Sequence, residues 1–179
     1  MVSTVVVTAR RYNLPALAAT LTGAILLPVA VHLLPDVANV PMGARLLPMF
    51  LAPLVAIYLA RPVVGIAAAV LAPILNNAIT GSPAGPMLTS ITIELFLFSL
   101  IISLAHGRYP RFAAIAPLAY VMARAAAVVT MAAFGDSSWP TGEGFLRGLA
   151  LAVPGIILLT LLNIVLVRAH DGGGGHGRR

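Results

Sequence analysis

Two charged side chains, Glu94 and Arg124, lie inside long apolar stretches of the sequence. Charges are costly to place in lipid, so within membrane helices they mark a substrate pathway, a proton relay or an ion pair. A carboxylate accepts hydrogen bonds or a proton, and a guanidinium presents five N–H donors to an acceptor. We therefore predict that both are polar anchors of a substrate site. The alternative is a purely structural pair that joins two helices.

Three uncharged polar residues accompany them in the apolar stretches: His32, Asn76 and Asn77. We predict that they line the same pocket. The alternatives are that the asparagines cap a helix end or join helices, and that His32 is solvated near the interface. Arg45 and Arg147 are better explained as interfacial residues whose stems cover apolar surface.

The composition indicates which solvent surrounds these groups. Of the 179 residues, 60% are hydrophobic and 9% are charged, whereas a soluble domain has about 45–50% apolar and about 25% charged residues. This much apolar surface is typical of an integral membrane protein. The chain has no cysteine, which excludes disulfides and thiolate chemistry, and no clustered ligands predict a metal site. Neither a cofactor nor nucleic acid is expected as a partner.

Six segments have the roughly 20 predominantly apolar residues that a transmembrane helix needs. They cover residues 14–35, 44–60, 62–80, 87–105, 112–134 and 145–169. We therefore predict an all-α, polytopic membrane protein with one six-helix substrate-binding domain over residues 1–169. Residues 170–179 are rich in glycine and are predicted to form a disordered cytoplasmic tail. A cleaved signal is the alternative for the first segment, but 22 residues exceed an ordinary signal core of about 7–15.

Arginines alternate between the loops and set the predicted orientation. Eight of the eleven fall on one side of the predicted membrane: Arg10, Arg11, Arg61, Arg108, Arg111, Arg168, Arg178 and Arg179. The positive-inside rule then places both termini in the cytoplasm, and we expect a multi-pass protein of a bacterial cytoplasmic membrane.

This orientation places the polar residues unevenly. With about 1.5 Å of rise per residue, Glu94 lies roughly 10 Å and Arg124 roughly 15 Å from the outer helix ends. Asn163 is in the inner half, where helix–helix hydrogen bonding is the simplest role, and the inner halves are otherwise Leu, Ile, Val and Ala. The pattern predicts a pocket open to the outside above an apolar floor, because a continuous channel would be polar along its length.

Two further features of the sequence predict a surface for helix contact and a loop that can move. Ala16, Thr20 and Ala24 repeat every four residues, a spacing that lets helices approach closely and either packs internally or contacts a partner subunit. The loop 81–86 contains Gly81, Pro83 and Pro86 and is predicted to act as a hinged lid.

Several segments, taken in order, resemble the substrate-binding S components of energy-coupling factor (ECF) vitamin transporters. The segments are Pro41-Met42-Gly43 with Leu46-Leu47-Pro48-Met49, Gly65 through Pro73 and Asn76, Thr80-Gly81-Ser82-Pro83, Glu94-Leu95, Arg124, and Pro154-Gly155-Ile156. Many members of that family carry Tyr-Gly after Glu-Leu, where this chain has Phe96-Leu97. The run Ala16-x-x-x-Thr20 resembles the family's contact with its coupling subunit.

The resemblance implies capture of a vitamin or related small molecule from outside the cell. It also implies association with a transmembrane coupling protein and two ATPase subunits. The chain lacks a phosphate-binding Gly-x-x-x-x-Gly-Lys loop, so on this interpretation ATP is hydrolysed by those partners. Two alternatives stay open. One is an intramembrane enzyme that uses Glu94, and the other is a secondary carrier that works alone, for which inverted repeats are expected.

Overall fold

A computed structural model of the protein describes residues 2–35, 40, 42–109, 112–134 and 142–173, and these form an all-helical bundle without a β-strand. The helices are α1 (Val2–His32), α2 (Met42–Leu46), α3 (Pro48–Leu59), α4 (Pro62–Thr80), α5 (Pro86–Arg108), α6 (Ile115–Ala133), α7 (Gly142–Leu151) and α8 (Val153–Gly173).

Several of these helices are long and apolar enough to cross a membrane. Five spans meet that description, namely Leu14–His32, Met42–Leu59, Pro62–Thr80, Pro86–Arg108 and Ile115–Ala133. A sixth is obtained if Gly144–Leu151 and Val153–Ala169, which meet at an angle of 55°, are counted together. The chain is thus a multi-pass membrane protein by length and composition, while the six-span count and the orientation stay predictions.

Two predicted spans are interrupted by breaks beside proline. The span predicted over 44–60 breaks at Leu47, which has a left-handed backbone (φ 53°, ψ 44°) directly before Pro48. The span predicted over 145–169 breaks at Ala152, two residues before Pro154. At Leu47 the following proline disfavours helical geometry in the residue before it, and near Ala152 the missing N–H of Pro154 removes one bond of a continuing helix.

The ends of the chain also differ from the predicted bounds. Helix α1 begins at Val2, well before the predicted first span. Helix α8 continues to Gly173, so the first four residues of the predicted disordered tail are helical, and residues 174–179 lie outside the described residues.

Aromatic side chains form the centre of the bundle, where α3, α5 and α6 meet. Phe50 packs edge-to-face against Phe98 and Tyr120, with ring centroids 5.0 and 5.2 Å apart. All three rings are almost completely buried. This cluster joins α3 to the two helices that carry Glu94 and Arg124, α5 and α6.

The two interrupted spans pack against each other through Gly155. A Cβ atom at this position would lie 2.6 Å from the Arg45 carbonyl oxygen and 2.8 Å from the Leu46 carbonyl carbon. A side chain would therefore collide with backbone, so glycine is required for α8 to approach the break between α2 and α3.

Candidate functional site

A cavity of about 730 Å³ opens at one end of the bundle, where α1 and α4 end and α3 and α5 begin. We call this the cavity end. Its volume is in the range of small-molecule sites, about 300–1,000 Å³. Most of its lining is apolar, and the polar lining residues are His32, Asn76, Thr80, Ser82, Glu94, Tyr120 and Arg124.

Glu94 of α5 and Arg124 of α6 form an ion pair in the cavity wall. Arg124 Nη1 donates to Glu94 Oε1 at 2.8 Å, and Ser90 Oγ donates to the same oxygen at 3.2 Å. The carboxylate side chain is 4% exposed and the guanidinium side chain 22%. The ion pair between two helices is thus observed and both residues line the cavity, while their role as anchors of a substrate stays a prediction.

Gly148 of α7 makes room for the guanidinium. A Cβ atom at this position would lie 2.9 Å from Arg124 Nη2. Arg124 Nε is buried and has no hydrogen-bond partner among the described residues. The pair thus leaves donor capacity on the arginine that Glu94 does not use.

Asn76 and Asn77, adjacent in α4, hold the following loop. Asn76 Nδ2 donates to the Ser82 carbonyl at 3.0 Å, and Asn77 Nδ2 donates to the Pro83 carbonyl at 2.6 Å. Asn76 is 6% exposed and lines the cavity, and its Oδ1 is buried without a partner among the described residues. Asn77 is not among the described lining residues, so its observed role is the predicted alternative, support of a helix end.

The predicted lid loop is attached to the end of α4. Gly81 ends the helix with a left-handed backbone (φ 76°), and Thr80 Oγ1 lies 2.9 Å from the Ser82 carbonyl oxygen. Ser82 lines the cavity, whereas Gly81, Pro83 and Pro86 are not among its described lining residues. Opening as a lid would have to break the asparagine bonds, and that motion stays a prediction.

His32 lies at the rim of the cavity, at the end of α1. Its Nδ1 is 2.7 Å from the Pro28 carbonyl oxygen, which only accepts, so Nδ1 carries the proton of this bond. A Cβ atom on Gly43 would lie 2.9 Å from His32 Cε1, so the ring packs directly on the glycine backbone. The side chain is exposed and lines the cavity, which agrees with both predicted roles.

Apolar and aromatic lining residues were not predicted from the sequence. Met49, Phe50 and Tyr120 form part of the cavity wall. Tyr120 lies four residues before Arg124, and that spacing places both on one face of α6. The spacing was a usable signal, but a membrane sequence contains many aromatic residues that face lipid.

The opposite end of the bundle is more polar than predicted. Tyr58 Oη donates to Asn163 Oδ1 at 2.8 Å, and Asn163 Nδ2 donates to the Ala113 carbonyl at 2.6 Å. The Tyr58 ring also lies 4.4 Å from the His106 ring, centroid to centroid. Asn163 is thus a helix–helix contact as predicted, but the inner halves are not uniformly aliphatic because Tyr58 joins it in a buried network.

Of the three small residues that repeat along α1, only Ala24 is fully buried within the protein. Ala24 is fully buried against Ala52 and Ala72, so its side chain is not on the surface that a partner subunit would contact. Ala16 and Thr20 are half-buried, and Thr20 Oγ1 donates to the Ala16 carbonyl at 2.7 Å. The predicted partner contact can therefore involve only these two.

Among the described residues, no group of three or more histidine, aspartate or glutamate side chains could hold a metal ion. Comparison with protein-family models, curated proteins and solved structures finds no match. The interpretation of the site therefore rests on its own residues: a largely apolar cavity, an ion pair, and two buried polar atoms that have no hydrogen-bond partner in the described part of the chain.

Proposed function

We propose that this protein captures a small molecule from outside a bacterial cytoplasmic membrane and delivers it to partner subunits for import, as an S component of an ECF-type transporter does. The observation that carries the proposal is the cavity, which has a volume suited to a small ligand and buried polar groups in an apolar wall. The ordered sequence resemblance supports the transporter class.

The orientation of the cavity supports capture from outside. Arg61 and Arg108 follow α3 and close α5, at the end of the bundle opposite the cavity, and both are exposed. The positive-inside rule assigns that arginine-bearing end to the cytoplasm. The cavity end then faces the extracellular side.

The proposal is tested by extraction of a bound molecule. The protein is purified in mild detergent from its bacterial host and denatured, and the released small molecules are measured by mass spectrometry. We expect a near-stoichiometric species from the wild type. Ala44→Trp should lose it, since Ala44 lines the cavity and an indole would occupy that space. Ala132→Trp is the matched control, because Ala132 is exposed on α6 and is not among the described lining residues.

Other outcomes would replace the proposal. An empty wild type, or equal release from Ala44→Trp, would refute capture in this cavity. Chemical change of the bound molecule during incubation would indicate an enzyme that uses Glu94. Uptake by vesicles that contain this chain alone would indicate a secondary carrier.

A further inference from the structure

The Tyr120 hydroxyl is a polar group in the cavity wall that the fold does not use. The residue is 2% exposed, and its ring packs edge-to-face on Phe50 with centroids 5.2 Å apart. Its Oη has no hydrogen-bond partner among the described residues, although the hydroxyl of a buried tyrosine usually finds one. A phenylalanine would fill the same space without the oxygen, as Phe50 and Phe98 do in this cluster. Packing of the bundle therefore does not explain why this residue is a tyrosine.

The hydroxyl is open to the cavity, in contrast to two other polar atoms of the lining residues. Asn76 Oδ1 and Arg124 Nε lack partners and are completely enclosed by protein. Tyr120 Oη also lacks a partner but is not one of the enclosed atoms, so it keeps accessible surface. Because Tyr120 is otherwise buried and lines the cavity, this surface belongs to the cavity. A molecule in the cavity can therefore contact the hydroxyl oxygen.

The groups around the hydroxyl favour a donating role. Glu94, the acidic residue of the described lining, accepts from Arg124 and Ser90 but not from this hydroxyl. Arg124 lies four residues after Tyr120 on the same face of α6, is 22% exposed and only donates. A phenol is also a stronger donor than acceptor, because a lone pair of its oxygen is delocalised into the ring. This face of α6 thus presents donors to an acceptor on a bound molecule.

We propose that Tyr120 is a specificity-determining residue of the cavity, whose hydroxyl donates a hydrogen bond to a carbonyl or carboxylate oxygen of the captured molecule. This inference rests on the proposed function and names the group of the substrate that the site recognises. Packing fixes the ring before binding, so little side-chain entropy is lost when the bond forms. A molecule without such an oxygen would leave the hydroxyl desolvated and unsatisfied, and would bind more weakly.

Tyr120→Phe and Tyr58→Phe form a matched pair, because each removes one phenol oxygen from a buried ring. Tyr58 lies at the opposite end of the bundle, where its Oη donates to Asn163 Oδ1 at 2.8 Å. The probe is the molecule that the wild type releases on denaturation, identified by mass spectrometry. It is titrated by calorimetry into the full chain, purified in detergent and emptied by exhaustive dialysis. We expect Tyr120→Phe to bind it about three- to tenfold more weakly, the usual range for one hydrogen bond, and Tyr58→Phe to bind it as the wild type does.

Melting temperatures of the empty proteins separate recognition from a structural role. Tyr120→Phe should melt no lower than the wild type, because its hydroxyl makes no bond among the described residues, whereas Tyr58→Phe should melt lower. Equal affinities of Tyr120→Phe and the wild type would overturn the inference. A loss of stability in Tyr120→Phe as large as in Tyr58→Phe would also overturn it, since the oxygen would then stabilise the fold.

A fluorine beside the hydroxyl tests the direction of the bond. Tyr120→3-fluorotyrosine provides a stronger donor and a weaker acceptor than tyrosine. The control for the bulk of the fluorine is the change in affinity from Tyr120→Phe to Tyr120→3-fluorophenylalanine. Beyond that change, we expect the fluorinated tyrosine to bind the probe more tightly than the wild type does. Unchanged or weaker binding would overturn the assignment of Tyr120 as the donor.

Failure of this inference is distinguishable from failure of capture. If the wild type releases a molecule that Tyr120→Phe binds equally well, recognition by Tyr120 is wrong and capture stands. A released molecule without a carbonyl or carboxylate oxygen would have the same meaning. If the wild type releases nothing, capture itself fails.

Discussion

Replacing Arg124 by Met should destabilise the bundle through Glu94. The substitution removes the cation and leaves the carboxylate, which is 4% exposed, with the Ser90 hydroxyl as its remaining donor among the described residues, at 3.2 Å. Removal of one partner from a buried ion pair typically costs about 3–5 kcal/mol. The guanidinium is 22% exposed beside an open cavity, where water can partly hydrate the carboxylate, so we expect a smaller loss than for a fully buried pair, about 2–3 kcal/mol.

A double-mutant cycle isolates the pair from the two side chains. Glu94→Gln should cost less than Arg124→Met, because its amide oxygen still accepts from the partly exposed guanidinium. The double variant buries no charge and should be more stable than the sum of the single effects predicts, by at least about 1 kcal/mol.

The assay is thermal unfolding in detergent, followed by circular dichroism. For a chain of this length, 1 kcal/mol corresponds to a shift of about 2–4 °C in the melting temperature, so Arg124→Met should melt about 4–12 °C below the wild type. Single effects that add to within about 0.5 kcal/mol would refute energetic coupling between the two residues.

Two further substitutions test the packing. Gly155→Ala should lower the melting temperature or prevent folding, because its Cβ would lie 2.6 Å from the Arg45 carbonyl oxygen. Gly107→Ala is the control and should be tolerated, because no atom lies within 4 Å of the added Cβ. A Gly155→Ala variant as stable as the wild type would contradict the close approach. Tyr58→Phe should cost about 0.6–1.7 kcal/mol in the same assay, since it removes the 2.8 Å bond to Asn163, a typical value for hydrogen bonds between membrane helices; no measurable loss would show that the network contributes nothing to stability.

Local sequence patterns predicted the uninterrupted helices better than the broken ones. The span predicted over 62–80 coincides with α4, since Pro62 and Gly81 mark its two ends locally. The break at Leu47 depends partly on Pro48 next to it and partly on Gly155, more than 100 residues away, which admits the backbone of the break. Local sequence patterns include the effect of Pro48 but not the contact with Gly155, so they did not predict this break.

The polar residues of the site were also predictable only in part. Glu94 and Arg124 stood out because a charge in an apolar stretch needs an explanation, and the structure brings them together. Asn76 and Asn77 could not be separated by sequence, because adjacent helical residues point about 100° apart and the packing of α4 decides which of them faces the cavity. Capture of a substrate, its identity and the partner subunits stay proposals.

If the protein captures a molecule as proposed, the hydrogen-bonded network of Tyr58, Asn163 and the Ala113 carbonyl makes release through the opposite end of the bundle an uphill step. These buried groups join α3, α8 and the turn that precedes α6 at the end away from the cavity. A captured molecule that left through that end would have to separate them in an environment where water does not replace the lost bonds. Unaided, such a molecule would return by the route it entered, so the proposed import would need work from another component to become one-directional.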